Sequence, residues 1–276
     1  MYSVYMLCKS LKISRSRYYN NVNKQPSKRD LYNAILQDSI KEIYWSSNKR
    51  YGAPKVHKSL ESKGLIVSLK RVQRHMRILG LRSIVTKKYK YYTNSTKVIE
   101  RANILNRNFN ATKVHQKWCS DITYIHVLDE GWTYLATVMD LYSRKIIGYS
   151  YSKSATADLT CKALDNACLN VKDTQGIIFH TDLGAQYTCN QFGMLVDKYN
   201  IIHSFSRKGN PYDNASIESF NSILKKEEVN RRKYNNFNQA KAILFEFIES
   251  WYNRVRIHSS IGYKTPNQIH SLAFSR

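Results

Sequence analysis

The sequence predicts an α/β protein in which a mixed sheet is flanked by helices and preceded by a small all-helical module. Three observations carry that expectation. Residues 28–79 show helical period. From Lys117 onward, β-branched and apolar runs appear in three successive blocks. Beyond those blocks helical and strand-like segments alternate, the pattern of a sheet with helices packed on it.

The elements follow in order. Leu11-Lys12-Ile13-Ser14-Arg15-Ser16-Arg17-Tyr18-Tyr19 reads as a basic helix or arm within residues 1–26. In residues 28–45, Leu31, Ile35, Ile40, Ile43 and Tyr44 fall near one helical face. Pro54 suits the start of a helix carrying Val56 and Leu60, which Gly64 ends. Ser68 caps another, with Leu69, Val72, Met76 and Leu79 as its apolar stripe and Gly80 as its stop. Lys70, Arg71, Arg74 and Arg77 cover the rest of that helix. Helix, glycine turn and basic helix match a helix-turn-helix, and a small bundle with solvated basic faces is the alternative. Residues 86–97 are basic and rich in tyrosine without apolar period. They read as a linker, either solvated or laid along a phosphate backbone.

Strands are expected at 118–127, 132–141 and 145–151, with turns at Gly131 and Ser143-Arg144, making an antiparallel meander. A helix at about 155–170, a strand at 176–181, a helix at about 190–199 and a strand at 201–205 come next. Helices dominate after Asn214. The domain boundaries drawn from this are a basic arm at 1–26, a helical helix-turn-helix-like module at 27–85, a basic linker at 86–112, an α/β body at 113–230 and a helical extension at 231–276.

Composition narrows the function. The 276 residues carry 44 Lys and Arg against 20 Asp and Glu, a net charge of +24. Residues 1–100 hold 22 basic and 5 acidic side chains, and residues 101–276 hold 22 and 15. Charge concentrated in one half points to a module that binds a polyanion, with nucleic acid ahead of a membrane surface. Five cysteines without a CxxC pair are expected to be free thiols in a reducing compartment. With no long apolar run, the chain is expected to be cytoplasmic and associated with no membrane.

Against this basic background three acids interrupt apolar segments: Asp121 and Asp182 in strands, and Glu218 at the start of a helix. Taken singly, each has a plain structural reading as a turn, edge or solvated residue. Together they suggest carboxylates gathered around a divalent metal. On the helix after Asn214, the residues Asn214, Glu218, Asn221 and Lys225 share one stripe, with Ile217, Phe220, Ile223 and Leu224 opposite. His180 shares the face of Asp182 and is more often a packed histidine than a ligand.

The arrangement resembles a known family. Asp182 and Glu218 are separated by 35 residues, and a basic residue, Lys225, follows seven positions on. This is similar to the D,D-35-E signature of retroviral-type integrases and insertion-sequence transposases. His180-Thr181-Asp182-Leu183-Gly184-Ala185-Gln186-Tyr187 resembles the family's HSDxGSQY segment. Gly209-Asn210-Pro211-Tyr212-Asp213-Asn214-Ala215 through Glu218-Ser219-Phe220 resembles GxxYDNAxxESF, and Leu224-Lys225-Lys226-Glu227 resembles LKxE. Trp251-Tyr252-Asn253, Arg256, His258 and Gly262-Tyr263-Lys264-Thr265-Pro266 match the C-terminal pattern, and residues 51–81 are similar to the family's helix-turn-helix. Leu183 and Ala185 depart from the usual Gln and Ser, and the N-terminus has no His/Cys zinc module.

The resemblance is to the second-frame product of a two-frame bacterial insertion-sequence transposase. It implies an RNase H-like fold in which Asp121, Asp182 and Glu218 converge as catalytic metal ligands. It further implies two Mg²⁺ or Mn²⁺ ions, Asp121 bridging them, and Lys225 on substrate phosphate. Arg71, Arg74 and Arg77 would contact DNA, while His180 and Asn214 orient their neighbours. The implied activity is cleavage at insertion-sequence ends and joining of the 3′-hydroxyl to target DNA. The implied partners are double-stranded DNA, further copies of the chain assembled on it, and an upstream-frame DNA-binding protein. The implied location is the bacterial nucleoid. A metal-dependent nuclease and a catalytically idle DNA-binding protein are the alternatives.

Overall fold

The computed structural model describes residues 3–22, 25–84, 102–169, 171–207 and 211–273. The chain forms two compact units, Met1–Ser83 and Ile84–Arg276. Residues 86–97, read as a linker, lie outside the described residues.

The first unit is helical: α1 (Val4–Ser10), α2 (Arg15–Val22), α3 (Lys28–Ser46), α4 (Ala53–Ser62) and α5 (Leu69–Ile78). The stretch read as an arm thus carries two short helices. Ser27 and Asp30 close a capping box at the start of α3, and Ser68 accepts from the Arg71 N–H at the start of α5. Val56, Leu60 and Val72 are wholly buried, as are Leu36 and Ile40 of α3. The α3 stripe departs from expectation: Leu31 and Ile35 are exposed, and Leu36 takes the buried position. At about 100° per residue, Leu31 and Ile35 point away from the face that Leu36, Ile40, Ile43 and Tyr44 share, so they do not belong to the buried stripe. Gly64 and Gly80 both adopt positive φ, the left-handed termination that glycine permits.

In the second unit a five-stranded sheet has the order β3-β2-β1-β4-β5. It comprises β1 (Lys117–Val127), β2 (Gly131–Asp140), β3 (Ile146–Ser152), β4 (Ile178–Thr181) and β5 (Ile202–Phe205). The first three strands form the antiparallel meander, and β4 and β5 run parallel to β1. The intervening helices are α6 (Ala157–Cys168), α7 (Ala185–Thr188) and α8 (Asn190–Lys198). The helices α9 (Ala215–Glu227), α10 (Phe237–Glu246) and α11 (Pro266–Leu272) follow.

Strand alternation sends Trp118, Ala136, Val138 and Phe179 into one core with Leu159, Ala163 and Leu164 of α6 and Phe192 and Val196 of α8. Gly148 permits this packing. A Cβ there would stand 2.4 Å from the Ala163 carbonyl and 2.5 Å from the Ala167 nitrogen, so β3 and α6 touch backbone to backbone. The other face receives α9, whose Ile217, Phe220 and Leu224 are wholly buried.

The C-terminal segment is stitched to this face. After α10 the helix widens into a π-helical stretch, Phe247–Val255. Tyr252 packs edge-on against Phe220, with centroids 4.7 Å apart. The amide of Asn253 accepts from the Ile146 N–H and donates to the Ile146 carbonyl, both at 3.0 Å, completing the edge of β3. Buried Glu227 accepts from Arg256 (Nη2, 2.8 Å) and from Trp251 Nε1 (3.0 Å). The Glu, Trp and Arg of the C-terminal motifs therefore meet in one buried ion-pair network.

Residues at the end of the stretch read as linker are anchored to this unit. Leu105 is buried, its N–H donates to Ser204 Oγ, and the Ala102 carbonyl accepts from the Phe205 N–H. All five cysteines are free. Among the described residues no helix is long and apolar enough to cross a membrane.

Candidate active site

β1 and β4 pair in parallel over Lys117–Cys119 and Ile178–His180. Asp121 and Asp182 each stand two residues beyond the last pair, Cys119 and His180. Adjacent parallel strands about 4.8 Å apart therefore deliver two carboxylates at the same level of the sheet. Both leave at the carboxyl ends of their paired segments, where ligands of open α/β sheets commonly bind.

Helix α9 brings the third acid. Its apolar side packs on the sheet, and Asn221 donates from Nδ2 to Asp121 Oδ2 at 2.9 Å. Glu218 lies one turn earlier on the same stripe. The carboxylates are electrostatically coupled. Asp121 is pushed up to about 7, first by burial and then by the negative charge of Asp182, with Glu218 adding to it. The Ile122 N–H and Asn221 oppose the shift. Partial burial also raises Asp182, against the Gly184 N–H that donates to its Oδ1 at 3.0 Å, and it raises Glu218. Lys225 completes the stripe. Its Nζ sits 3.8 Å from the centroid of the Tyr124 ring, and burial lowers its pKa while Tyr124 and Asp121 oppose that.

Among the described residues, no three His, Cys, Asp or Glu side chains are gathered closely enough to enclose a metal ion. The donor chemistry nonetheless suits a hard divalent cation. Three carboxylates are available, and the amide oxygens of Asn214 and Asn221 are buried without a hydrogen-bond partner among the described residues.

The supporting residues divide. His180 is fully buried, and its ring bonds Ser204 Oγ at 2.9 Å and Ser206 Oγ at 3.0 Å instead of any of the three acids. Burial lowers its pKa to about 4. It braces β4 against β5 and the segment that follows. Asn214 donates to the Ser120 carbonyl, at 3.5 Å, on the strand that carries Asp121.

Sequence reasoning gives no role to Asp213, although Asp213-Asn214 lies within the GxxYDNA-like motif. Its carboxylate is buried, which opposes ionisation. Hydrogen bonds from Arg207 and Arg107 nevertheless hold it well below the usual carboxylate range. It pins the entry to α9. Asn221 falls on the polar stripe of the helix without a role of its own in the sequence, and its contact with Asp121 is a product of tertiary structure.

In the first unit, Arg74 and Arg77 of α5 are exposed. Arg71 is engaged within its own unit: Nη2 donates to Asn33 Oδ1 at 2.8 Å, and the guanidinium lies 4.8 Å from the Tyr32 ring centroid.

Comparison with known proteins bears on this arrangement. Integrase core domain families match residues 111–211 and 199–266, and an HTH-like domain family matches residues 31–89. The transposase for insertion sequence element IS904 of Lactococcus lactis subsp. lactis (strain IL1403) is 37% identical over 249 residues, 90% of this chain and 98% of that protein. The chain belongs to the insertion-sequence transposases with an integrase core. Transposase InsF for insertion sequence IS3A of Escherichia coli (strain K12) is 35% identical over 97% of this chain and 94% of its own length. The insertion element IS600 31 kDa protein of Shigella sonnei is 36% identical over 94% and 96%.

Among solved structures, a chain of the simian T-cell lymphotropic virus intasome in complex with PP2A regulatory subunit B56 gamma is 16% identical over 78% of this chain and 70% of its own, with a TM-score of 0.48. The HTLV-2 integrase catalytic core domain in complex with magnesium (trimeric form) is 20% identical over 58% and 99%, with a TM-score of 0.43. The transposase has a five-stranded mixed sheet flanked by helices in its integrase core, with an HTH-like region before it.

Proposed function

We propose that Asp121, Asp182 and Glu218 are the catalytic carboxylates of this DNA transposase, acting with Mg²⁺ or Mn²⁺. The observation that carries this reading is the delivery of Asp121 and Asp182 from adjacent parallel strands, two residues past the Cys119–His180 pair, beneath the helix that bears Glu218. Asp121, Asp182 and Glu218 would hold the cations. Two such cations, when bound, neutralise charge on the attacking and leaving oxygens of an in-line displacement.

The chain's own groups do the rest. Asn221 fixes the Asp121 carboxylate, and Asp213 with its two arginines fixes the start of α9. His180 keeps β4 and β5 in register, and Lys225 faces the substrate phosphate. The reaction is a transesterification. A 3′-hydroxyl oxygen at the transposon end bonds to a target phosphorus, the bond to the target 3′ oxygen breaks, and that oxygen leaves with a proton. Water as nucleophile gives the preceding nick. Arg74 and Arg77 grip duplex DNA, with Arg71 shaping the helix pair behind them. Several copies act together on DNA in the nucleoid, and an upstream-frame DNA-binding protein supplies further end recognition.

The test uses labelled terminal-repeat DNA, target DNA and Mg²⁺, with and without the upstream-frame product. Asp121→Asn, Asp182→Asn and Glu218→Gln are each expected to cut strand transfer on the order of 100-fold or more. Normal joining by any of the three would remove that residue from the catalytic set. Hydrolysis without joining by the unaltered protein would make it a nuclease.

A further inference from the structure

We propose that Trp132, held by Tyr124 and His126, is a stacking surface for an unpaired nucleobase of the DNA strand held at the carboxylates. The inference rests on the function proposed above and adds a base-recognition element to it.

Trp132 is the second residue of β2 and pairs across the sheet with His126. Tyr124 stands two residues before His126 on the same face. Their rings form one cluster. Tyr124 and Trp132 have centroids 5.1 Å apart at 85°, and His126 and Trp132 are 5.1 Å apart at 82°. Two near-perpendicular neighbours hold the indole in one orientation. It is nevertheless 54% exposed, and Tyr124 is 40% exposed. An indole that is both fixed and open to solvent contributes little to the core. It is ordered in advance for an aromatic ligand.

The surroundings specify that ligand. The Lys225 ammonium lies against the Tyr124 ring and feels the charge of Asp121. One cation therefore links the aromatic cluster to the acids. Tyr124 is three residues along β1 from Asp121, so alternation turns its side chain to the other face of the strand. β4 pairs with β1 only as far as Cys119, and Lys225 reaches from α9, on the Asp121 face, to the Tyr124 ring. A polyanion that follows this lysine from the carboxylates meets the cluster, and the flat π-systems it carries are bases. Paired bases in a duplex present their edges and not their faces, so the occupant is a base freed from its partner beside the cut. A protein partner would be expected to meet a larger apolar patch without an adjacent phosphate-seeking lysine.

The test is direct binding, measured by fluorescence anisotropy with the full chain and no divalent metal. The probes are labelled oligothymidylate and a fully abasic strand of the same length. Trp132→Ala is expected to weaken oligothymidylate binding on the order of 5- to 100-fold, the range found for base–aromatic stacking. Trp132→Phe should retain most of the affinity, and all three proteins should bind the abasic strand equally. Unchanged oligothymidylate affinity in Trp132→Ala, or an equal loss on the abasic strand, would overturn the proposal. Strand transfer by the unaltered protein is scored separately. Its absence would refute the catalytic reading, while the stacking surface is judged on the binding ratio alone.

Discussion

Asn221 Nδ2 donates to Asp121 Oδ2 at 2.9 Å, joining α9 to β1 across 100 positions of sequence. This one bond ties the helix that carries Glu218 to the strand that carries Asp121, so the acids share a common frame. Asn221→Ala removes it and frees the Asp121 carboxylate to rotate. A hydrogen bond to a charged group is worth about 1.5–3 kcal/mol, so strand transfer should fall on the order of 10- to 100-fold with the fold intact by circular dichroism. Unimpaired joining by Asn221→Ala would show that Asp121 needs no such restraint.

The raised pKa of Asp121 makes a stability prediction. The folded protein retains a proton that the unfolded chain releases between about pH 4 and pH 7. Stability therefore falls as pH rises through that window, and the cost is complete above it. Without metal, Asp121→Asn should raise the melting temperature by a few degrees at pH 8, on the order of 1–3 kcal/mol, and leave it unchanged below pH 4. Adding Mg²⁺ at pH 8 should stabilise the unaltered protein and have less effect on the variant. Equal melting temperatures at pH 8 would mean that Asp121 ionises without strain.

The Glu227–Arg256 pair is buried at both ends. Arg256→Met strands the Glu227 carboxylate in the interior and should cost about 3–5 kcal/mol in urea unfolding. Changing both, as Glu227→Gln with Arg256→Met, should recover part of that loss. A single variant as stable as the parent would show that water reaches Glu227.

Gly148→Ala should destabilise the second unit by about 1–3 kcal/mol or more. The new methyl group meets backbone atoms of α6 and not a side chain that can turn aside. A melting temperature within a degree of the parent would show that α6 can retreat from β3.

Arg74→Ala with Arg77→Ala should weaken duplex binding uniformly across sequences. The log–log salt slope of binding should fall by about one for each phosphate left without its arginine. An unchanged slope would place the phosphate-binding residues elsewhere in the chain.

Much of the second unit was readable from period alone. Ile217, Phe220 and Leu224 recur at helical spacing and are buried, and Trp118 and Phe179 alternate into the core as strand residues do. Leu31 and Ile35 are exposed because helical spacing turns them away from Ile40, Ile43 and Tyr44, and Leu36 takes the buried position. Period was silent on the π-helical stretch Phe247–Val255, because an extra residue per turn leaves no mark in composition. Nor does sequence show that Asn33 and Tyr32 engage the Arg71 guanidinium inside the unit.

What the sequence determined alone was the identity of the elements, the apolar face of most of them, and the three acids with their spacing. Those are local properties: backbone geometry converts residue order into faces within a single element. The tertiary structure decided which faces meet. The Cys119–His180 register, the Asn221–Asp121 bond, the burial of Glu227 with Arg256 and the packing of Trp132 among Tyr124 and His126 each join residues from separate elements. Such pairings are selected by the packing of the whole core, which no short stretch of the chain encodes.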